Sequence, residues 1–173
     1  MMTIEVGTVE RVAGGRLAEL YERHAREATR LAYLLTGDRA LAEDLVQDAF
    51  VRLAGRFIDF RDPDGFAHYL RRTVVNLSNS WYRRRRVERA YVEREGAVPR
   101  HPAGAPDPAE RDELWRKLQT LNPKQRAAIV LRFYEDLSDV QAGEVLRCSP
   151  GTVRSLVSRG VTTLRSELEG VTR

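Results

Sequence analysis

The chain has 173 residues, 42% of them hydrophobic, which is enough for one ordinary packed domain or two small ones and excludes wholesale disorder. No apolar run approaches the ~18 residues of a membrane span, and Met1 to Arg16 carries no apolar stretch of secretory-signal type. A single cysteine, Cys148, excludes an internal disulfide framework and a cysteine-built zinc site, so a reducing, cytoplasmic setting is expected.

The formal net charge is only +4, but it is unevenly placed. Gly65 to Arg89 holds seven arginines and one acid, Glu88, whereas Asp38 to Asp64 holds seven acids and four arginines. A basic block beside an acidic block points to one anionic partner and a second, different partner.

In chain order, the first element is a helix with Leu17, Leu20, Tyr21, His24, Ala28, Leu31 and Leu35 on one face. Gly37 is expected to end it, and Asp38 to cap a second helix over about Arg39 to Ala54, whose stripe is Leu41, Leu45, Ala49 and Leu53. Opposite that stripe, Glu43, Asp44, Gln47 and Asp48 share one acidic face. Asp64 then caps a third helix with Phe66, Tyr69, Leu70, Thr73, Val74 and Leu77 on its apolar side. The polar stretch Asn76 to Ser80 reads as a break, followed by a fourth segment that opens on Trp81-Tyr82 and runs into Arg83, Arg84, Arg85 and Arg86.

Ala90 to Pro108 reads as a semi-flexible tether, because Pro99, Pro102, Pro106 and Pro108 remove backbone donors and forbid a regular helix. A helix over about Pro108 to Leu121 follows, carrying Leu114, Trp115, Leu118 and Leu121. Three further helix starts are marked by caps: Asn122-Pro-Lys-Gln125, Ser138-Asp-Val-Gln141 and Ser149-Pro-Gly-Thr152. No alternating segment of useful length is present. The expected fold is all-α, with two small helical domains: one over 15–89, a linker over 90–110, and a second over 111–170.

Two segments carry recognition chemistry. Ser138 to Leu168 has the proportions of a helix-turn-helix, with Gly143 at the helix crossing and Val140, Val145, Leu146 and Val153 closing the core. The second helix then exposes Thr152, Arg154, Ser155, Ser158 and Arg159 near its N-terminal end, the end that enters a DNA major groove, where arginine bonds guanine bidentately. Phe66 to Arg89 interleaves aromatic rings with arginines, which is the pattern that single-stranded nucleic acid requires. Four adjacent like charges repel unless a polyanion lies nearby. Phe66 itself reads more simply as core.

Catalysis is not expected. His24, His68 and His101 show no metal-ligand spacing, no glycine-rich phosphate loop is present, and Cys148 reads as a plain thiol. No metal or cofactor is assigned.

Taken together, Leu17 to Leu168 resembles the bacterial RNA polymerase sigma factors of extracytoplasmic-function (ECF) type, within the sigma-70 family. The stretch Ala42-Glu-Asp-Leu-Val-Gln-Asp-Ala-Phe50 is the most specific match, and Tyr69-Leu-Arg-Arg-Thr-Val-Val-Asn76 is similar to a second signature. Leu121-Asn-Pro-Lys-Gln-Arg126, Leu137-Ser138 and Gly151-Thr-Val-Arg-Ser155 resemble those of the family's fourth conserved domain.

The resemblance implies a promoter-specificity subunit. Glu43, Asp44, Gln47 and Asp48 would dock on a basic coiled coil of the RNA polymerase core. Asn76, Ser78, Asn79, Trp81 and Arg83 to Arg86 would engage the −10 element as it melts, with one flipped nontemplate base held by a loop over Asn76 to Ser80. Thr152, Arg154, Ser155, Ser158 and Arg159 would read the −35 duplex. The free chain is expected to be a monomer, and the resemblance admits an anti-sigma partner without identifying one. The alternative is a helix-turn-helix regulator that binds duplex DNA unaided; it leaves the acidic helix and the aromatic–arginine segment without a purpose. Three departures from the family pattern stand out. Arg147 occupies the turn position usually held by glycine, so a local difference in the turn is expected. Gly143 stands where alanine is common, and Leu156 where a basic residue usually follows the serine.

Overall fold

The computed structural model describes residues 6–54, 63–94 and 113–170. All regular structure among them is helical: α1 (Val6–Thr36), α2 (Arg39–Ala54), α3 (Pro63–Arg94), α4 (Glu113–Thr120), α5 (Pro123–Ile129), a π-helical turn (Val130–Tyr134), α6 (Asp139–Leu146) and α7 (Pro150–Gly170). Residues 95–112, on which most of the expected linker and His101 fall, lie outside the described residues, as do the side chains of Arg89, Leu114 and Trp115.

Helices α1, α2 and α3 pack on one another around Leu31, Leu35, Leu45, Val46, Phe50, Phe66, Leu70 and Val74. The expected punctuation between α1 and α2 holds. Gly37 adopts φ 73°, a conformation that a Cβ would strain, and its N–H donates to the Tyr33 carbonyl at 2.7 Å. Asp38 Oδ1 accepts from the Leu41 N–H at 3.0 Å, capping α2. The buried face of α2 is wider than a leucine stripe: Ala42, Val46 and Phe50 are buried with Leu45, Ala49 and Leu53, while Leu41 sits at its margin.

Several expectations about the first block need correction. α1 begins at Val6, well before Leu17. α3 begins at Pro63, which puts Asp64 inside the first turn instead of at the cap. The largest difference is at Asn76 to Ser80. There is no break and no separate fourth segment; α3 continues unbroken for 32 residues, through the arginine run and on to Arg94, past the expected linker start at Ala90. Polar residues marked a break on composition, but the helix continues because Val74, Val75 and Leu77 remain buried in the core. Ser78 satisfies its hydroxyl within its own helix, donating to the Val74 carbonyl at 2.9 Å, so that it can be buried there.

In the second block all three capping signals are realised. Asn122 and Ser138 each form a reciprocal capping box with the glutamine three residues on. Ser149 Oγ accepts from the Thr152 N–H at 3.2 Å, with Pro150 opening α7.

The two blocks pack against each other, with α5 and α6 lying against α3. One side chain dominates the junction. Arg126 is 4% exposed. Its Nε donates to the Leu118 carbonyl at 2.8 Å, and its Nη2 donates to Leu121 at 3.0 Å and Gln119 at 3.3 Å. Its Nη1 crosses to the first block and donates to the Leu35 carbonyl at 2.6 Å and Tyr82 Oη at 2.7 Å. Arg71 Nε meets Glu135 Oε2 at 2.6 Å, and the Arg30 guanidinium lies 5.5 Å from the Tyr134 ring centroid.

Candidate nucleic-acid and polymerase interfaces

α2 presents its acidic face as the sequence predicts. Glu43, Asp44, Gln47 and Asp48 are all exposed on the side away from the packed residues. Arg39 Nε lies 3.3 Å from Glu43 Oε1, an exposed i,i+4 pair of small energetic weight. The remaining carboxylates form an acidic surface on a rigid helix, which suits a basic partner helix.

The second surface lies along the middle of α3. Trp81 is half-buried, stacks edge-on against Tyr82 with centroids 4.9 Å apart, and carries the Arg85 guanidinium 4.8 Å from its own ring centroid. Arg83, Arg84 and Arg86 are exposed, and Asn76 and Asn79 are partly so. An aromatic plate beside a track of guanidinium groups can stack a base and neutralise phosphates. Ser78 does not join this surface: it is 2% exposed and its hydroxyl is spent on Val74. Phe66 is fully buried core, in ring contact with Phe50 at 5.6 Å, as its simpler reading holds.

The third surface is the tip of α7. Thr152, Arg154, Ser155, Ser158 and Arg159 are all exposed. Behind them, Val153 and Val145 are fully buried, with Ala142 completing the contact and Leu146 packed at its edge. Val140, expected in this core, is instead 57% exposed, and Ala142 takes the inward position. Ala142 is three residues before Val145, on the same helix face, whereas Val140 is not.

The turn between α6 and α7 explains two departures from the family pattern. The expected local difference at Arg147 does not occur. Arg147 takes the left-handed conformation with φ 56° and ψ 47°, and its N–H caps α6 on the Gly143 carbonyl. The backbone therefore pays a strain of about 1 kcal/mol that glycine would avoid. Gly143 is required by the same turn: a Cβ there would lie 2.6 Å from the Cys148 carbonyl oxygen. The Cys148 N–H in turn donates to the Gly143 carbonyl at 3.0 Å. Leu156 is half-buried, and its apolar side chain offers no cation at this position.

A supporting shell absent from the sequence reading lies behind Arg154. Asp139, at the start of α6, places Oδ1 2.9 Å from Arg132 Nε and Oδ2 3.7 Å from Arg154 Nε. Arg132 also donates through Nη1 to the Leu137 carbonyl. Arg126 was likewise missed as a junction residue, although Arg126, Ile129 and Val130 share one helical face at i, i+3, i+4 spacing, which was its available signal. Among the described residues no group of three or more His, Cys, Asp or Glu side chains is placed to hold a metal ion, and no helix is long and apolar enough to cross a membrane. Cys148 is half-buried against the core of the turn.

Comparison with known proteins now bears on these surfaces. Residues 20–88 match the Sigma-70 region 2 family model and residues 111–164 match Sigma-70, region 4. The chain is 36% identical over 151 residues to an RNA polymerase sigma-E factor of Streptomyces coelicolor, covering 87% of this chain and 85% of the relative. It is 37% identical over 157 residues to the ECF RNA polymerase sigma factor SigE of Mycolicibacterium smegmatis, covering 87% of this chain and 60% of the relative. Among solved structures it is similar to the sigma factor RpoE of Bartonella quintana, seen in complex with the anti-sigma factor NepR. That match has a TM-score of 0.64 and 25% identity and covers 88% of this chain and 96% of that one. The acidic helix, the aromatic–arginine helix and the helix-turn-helix thus occur in one chain in the family's order, and the chain belongs to the sigma-70 family as an RNA polymerase sigma factor of ECF type.

Proposed function

We propose that the three surfaces divide the work of promoter-specific initiation among them. The exposed face of α2, Glu43, Asp44, Gln47 and Asp48, docks on the polymerase core. Asn76, Asn79, Trp81 and Arg83 to Arg86 on α3 hold the −10 element as its strands part. Thr152, Arg154, Ser155, Ser158 and Arg159 read the −35 duplex in the major groove. The observation that carries this reading is the continuity of α3: one rigid helix sets Trp81 and its Arg85 partner in line with the cationic run, so that stacking and phosphate neutralisation act on the same strand. Ser78 is left out of the contact set because it is buried. Base flipping costs a few kcal/mol of unstacking. With no loop at Asn76 to Ser80, the compensating surface is the Trp81 ring and its arginines.

The protein acts in the cytoplasm as a non-catalytic subunit, and an anti-sigma factor is a partner class suggested by the Bartonella relative. A stand-alone duplex-binding regulator is disfavoured, since region 2 would then have no function. The test is capture of purified core polymerase by the full chain. Asp44→Arg combined with Gln47→Ala should abolish capture while leaving the helical circular dichroism intact. Undiminished capture removes α2 as the docking surface.

A further inference from the structure

Behind Arg154, one of the two arginines proposed to read the −35 duplex, stands a carboxylate that is itself held in place. Asp139 opens α6, and its Oδ2 lies 3.7 Å from Arg154 Nε. From the other side, Oδ1 lies 2.9 Å from Arg132 Nε, and Arg132 Nη1 donates to the Leu137 carbonyl. The first turn of a helix also favours a carboxylate, through the partial positive charge of its free N–H groups. Asp139 is therefore fixed from the rear, with its side chain 29% exposed, while the Arg154 side chain is 72% exposed and reaches into solvent.

The point of contact on Arg154 matters. A guanidinium has five N–H donors, and its terminal Nη pair can bond O6 and N7 of guanine together. A carboxylate facing Nε restrains the swing of the side chain and leaves that terminal pair clear. At 3.7 Å the pair is electrostatic, without a hydrogen bond, and in water an exposed pair of this kind adds little to stability. Its weight grows when α7 enters a groove and water is expelled, because the same charges then interact through a lower dielectric. A carboxylate beside a DNA-reading arginine has a second effect, of opposite sign. It weakens the attraction of that surface to phosphates, whatever the sequence. The first effect rewards the base pair that Arg154 fits; the second penalises binding everywhere, and together they widen the gap between right and wrong sites.

We infer that Asp139 is a specificity-determining positioning residue for the −35 element: anchored by Arg132, it holds Arg154 through Nε for one base pair and lowers the affinity of α7 for DNA at large. The inference rests on the proposed reading of that element by Arg154.

The experiment offers the full chain a duplex pool randomised over the −35 element. The most enriched duplex, its single-base-pair substitutions and a scrambled duplex then serve as competitors. Arg154→Ala should lose at least about fivefold in discrimination at one base pair. Asp139→Asn should lose about threefold at that same base pair, keep its discrimination at the others, and bind the scrambled duplex about twofold more tightly. Asp139→Ser, also well suited to a helix start, should behave alike, and both should match wild type in helical circular dichroism. In the Arg154→Ala background, Asp139→Asn should cost no further discrimination. Glu144→Gln, which removes a carboxylate at an exposed site of α6, should leave discrimination unchanged at every base pair. Unchanged discrimination with both Asp139 variants, an equal loss at all base pairs, weaker binding of the scrambled duplex, a further loss in the Arg154→Ala background, or the same loss with Glu144→Gln each overturns the positioning role alone. A wild type with no preferred duplex, or an Arg154→Ala chain that weakens on every duplex equally, overturns the base reading by Arg154 and the positioning role with it.

Discussion

The tip of α7 and the middle of α3 are both proposed to meet DNA, yet they are prepared for it differently. On α7 every candidate, from Thr152 to Arg159, is exposed and stands on a small core of Val145, Val153 and Ala142. On α3 the candidates are graded: Arg83, Arg84 and Arg86 are free in solvent, Trp81 is half-buried, Ser78 is buried, and neighbouring Tyr82 is engaged with the other block. A duplex offers its edges without deformation, so its reader can be displayed ready-made. A strand that must be unstacked needs a surface whose binding energy appears only once the duplex yields, and a partly engaged helix suits that order of events.

The largest expected effect falls on the junction that separates these two regions. Arg126→Met removes the donors of four carbonyls and one hydroxyl, and should lower stability by about 3 kcal/mol in urea unfolding. A loss below about 1 kcal/mol would show that water satisfies those groups equally well. Next comes the turn beneath the duplex reader. Gly143→Ala drives a Cβ against the Cys148 carbonyl and should cost about 2 kcal/mol despite alanine's better helix propensity, with −35 binding falling in proportion. A stabilised variant would mean that the turn relaxes freely.

Arg154→Ala should weaken discrimination at one −35 base pair by about 1–3 kcal/mol, measured by competition among duplexes that differ singly. Uniform weakening over all sequences would reassign Arg154 to phosphate. On α3 the expected signature is instead one of salt. Replacing Arg83 to Arg86 by alanine should flatten the log–log salt slope of single-strand binding by about 3, since each neutralised phosphate contributes about 0.7. The smallest effect is at Arg147, where glycine should raise stability by about 0.5 kcal/mol, the relief of left-handed strain less the added entropy of the unfolded chain. No change in melting temperature would show that the αL conformation is unstrained.

The parts of the molecule legible in the sequence are those that local chemistry dictates. The Asn122, Ser138 and Ser149 caps, the Gly37 stop and the Asp38 cap were all visible, because each depends on residues within one helical turn. The acidic face of α2 and the exposed tip of α7 were visible because 3.6-residue periodicity separates inside from outside. The unbroken course of α3 was not. Asn76, Ser78, Asn79 and Ser80 disfavour helix locally, and only burial of Val74, Val75 and Leu77 in the core overrides them. Val140 was misplaced for the reverse reason, since valine's hydrophobicity suggested core where the helix register points it outward. The junction was hidden almost wholly. Arg71 to Glu135 and Leu35 to Arg126 are contacts between distant parts of the chain, and no pattern within either segment encodes the other.

The central claim is that this chain gives a polymerase its choice of start site through both DNA surfaces acting together. It is tested most directly by run-off transcription with purified, sigma-free core polymerase over a genomic fragment library, with start sites mapped for wild type and for Arg154→Ala. The account predicts a discrete set of starts for wild type, sharing two upstream elements, and a selective loss with Arg154→Ala of those that depend on the distal one. Starts distributed as with core polymerase alone would contradict it.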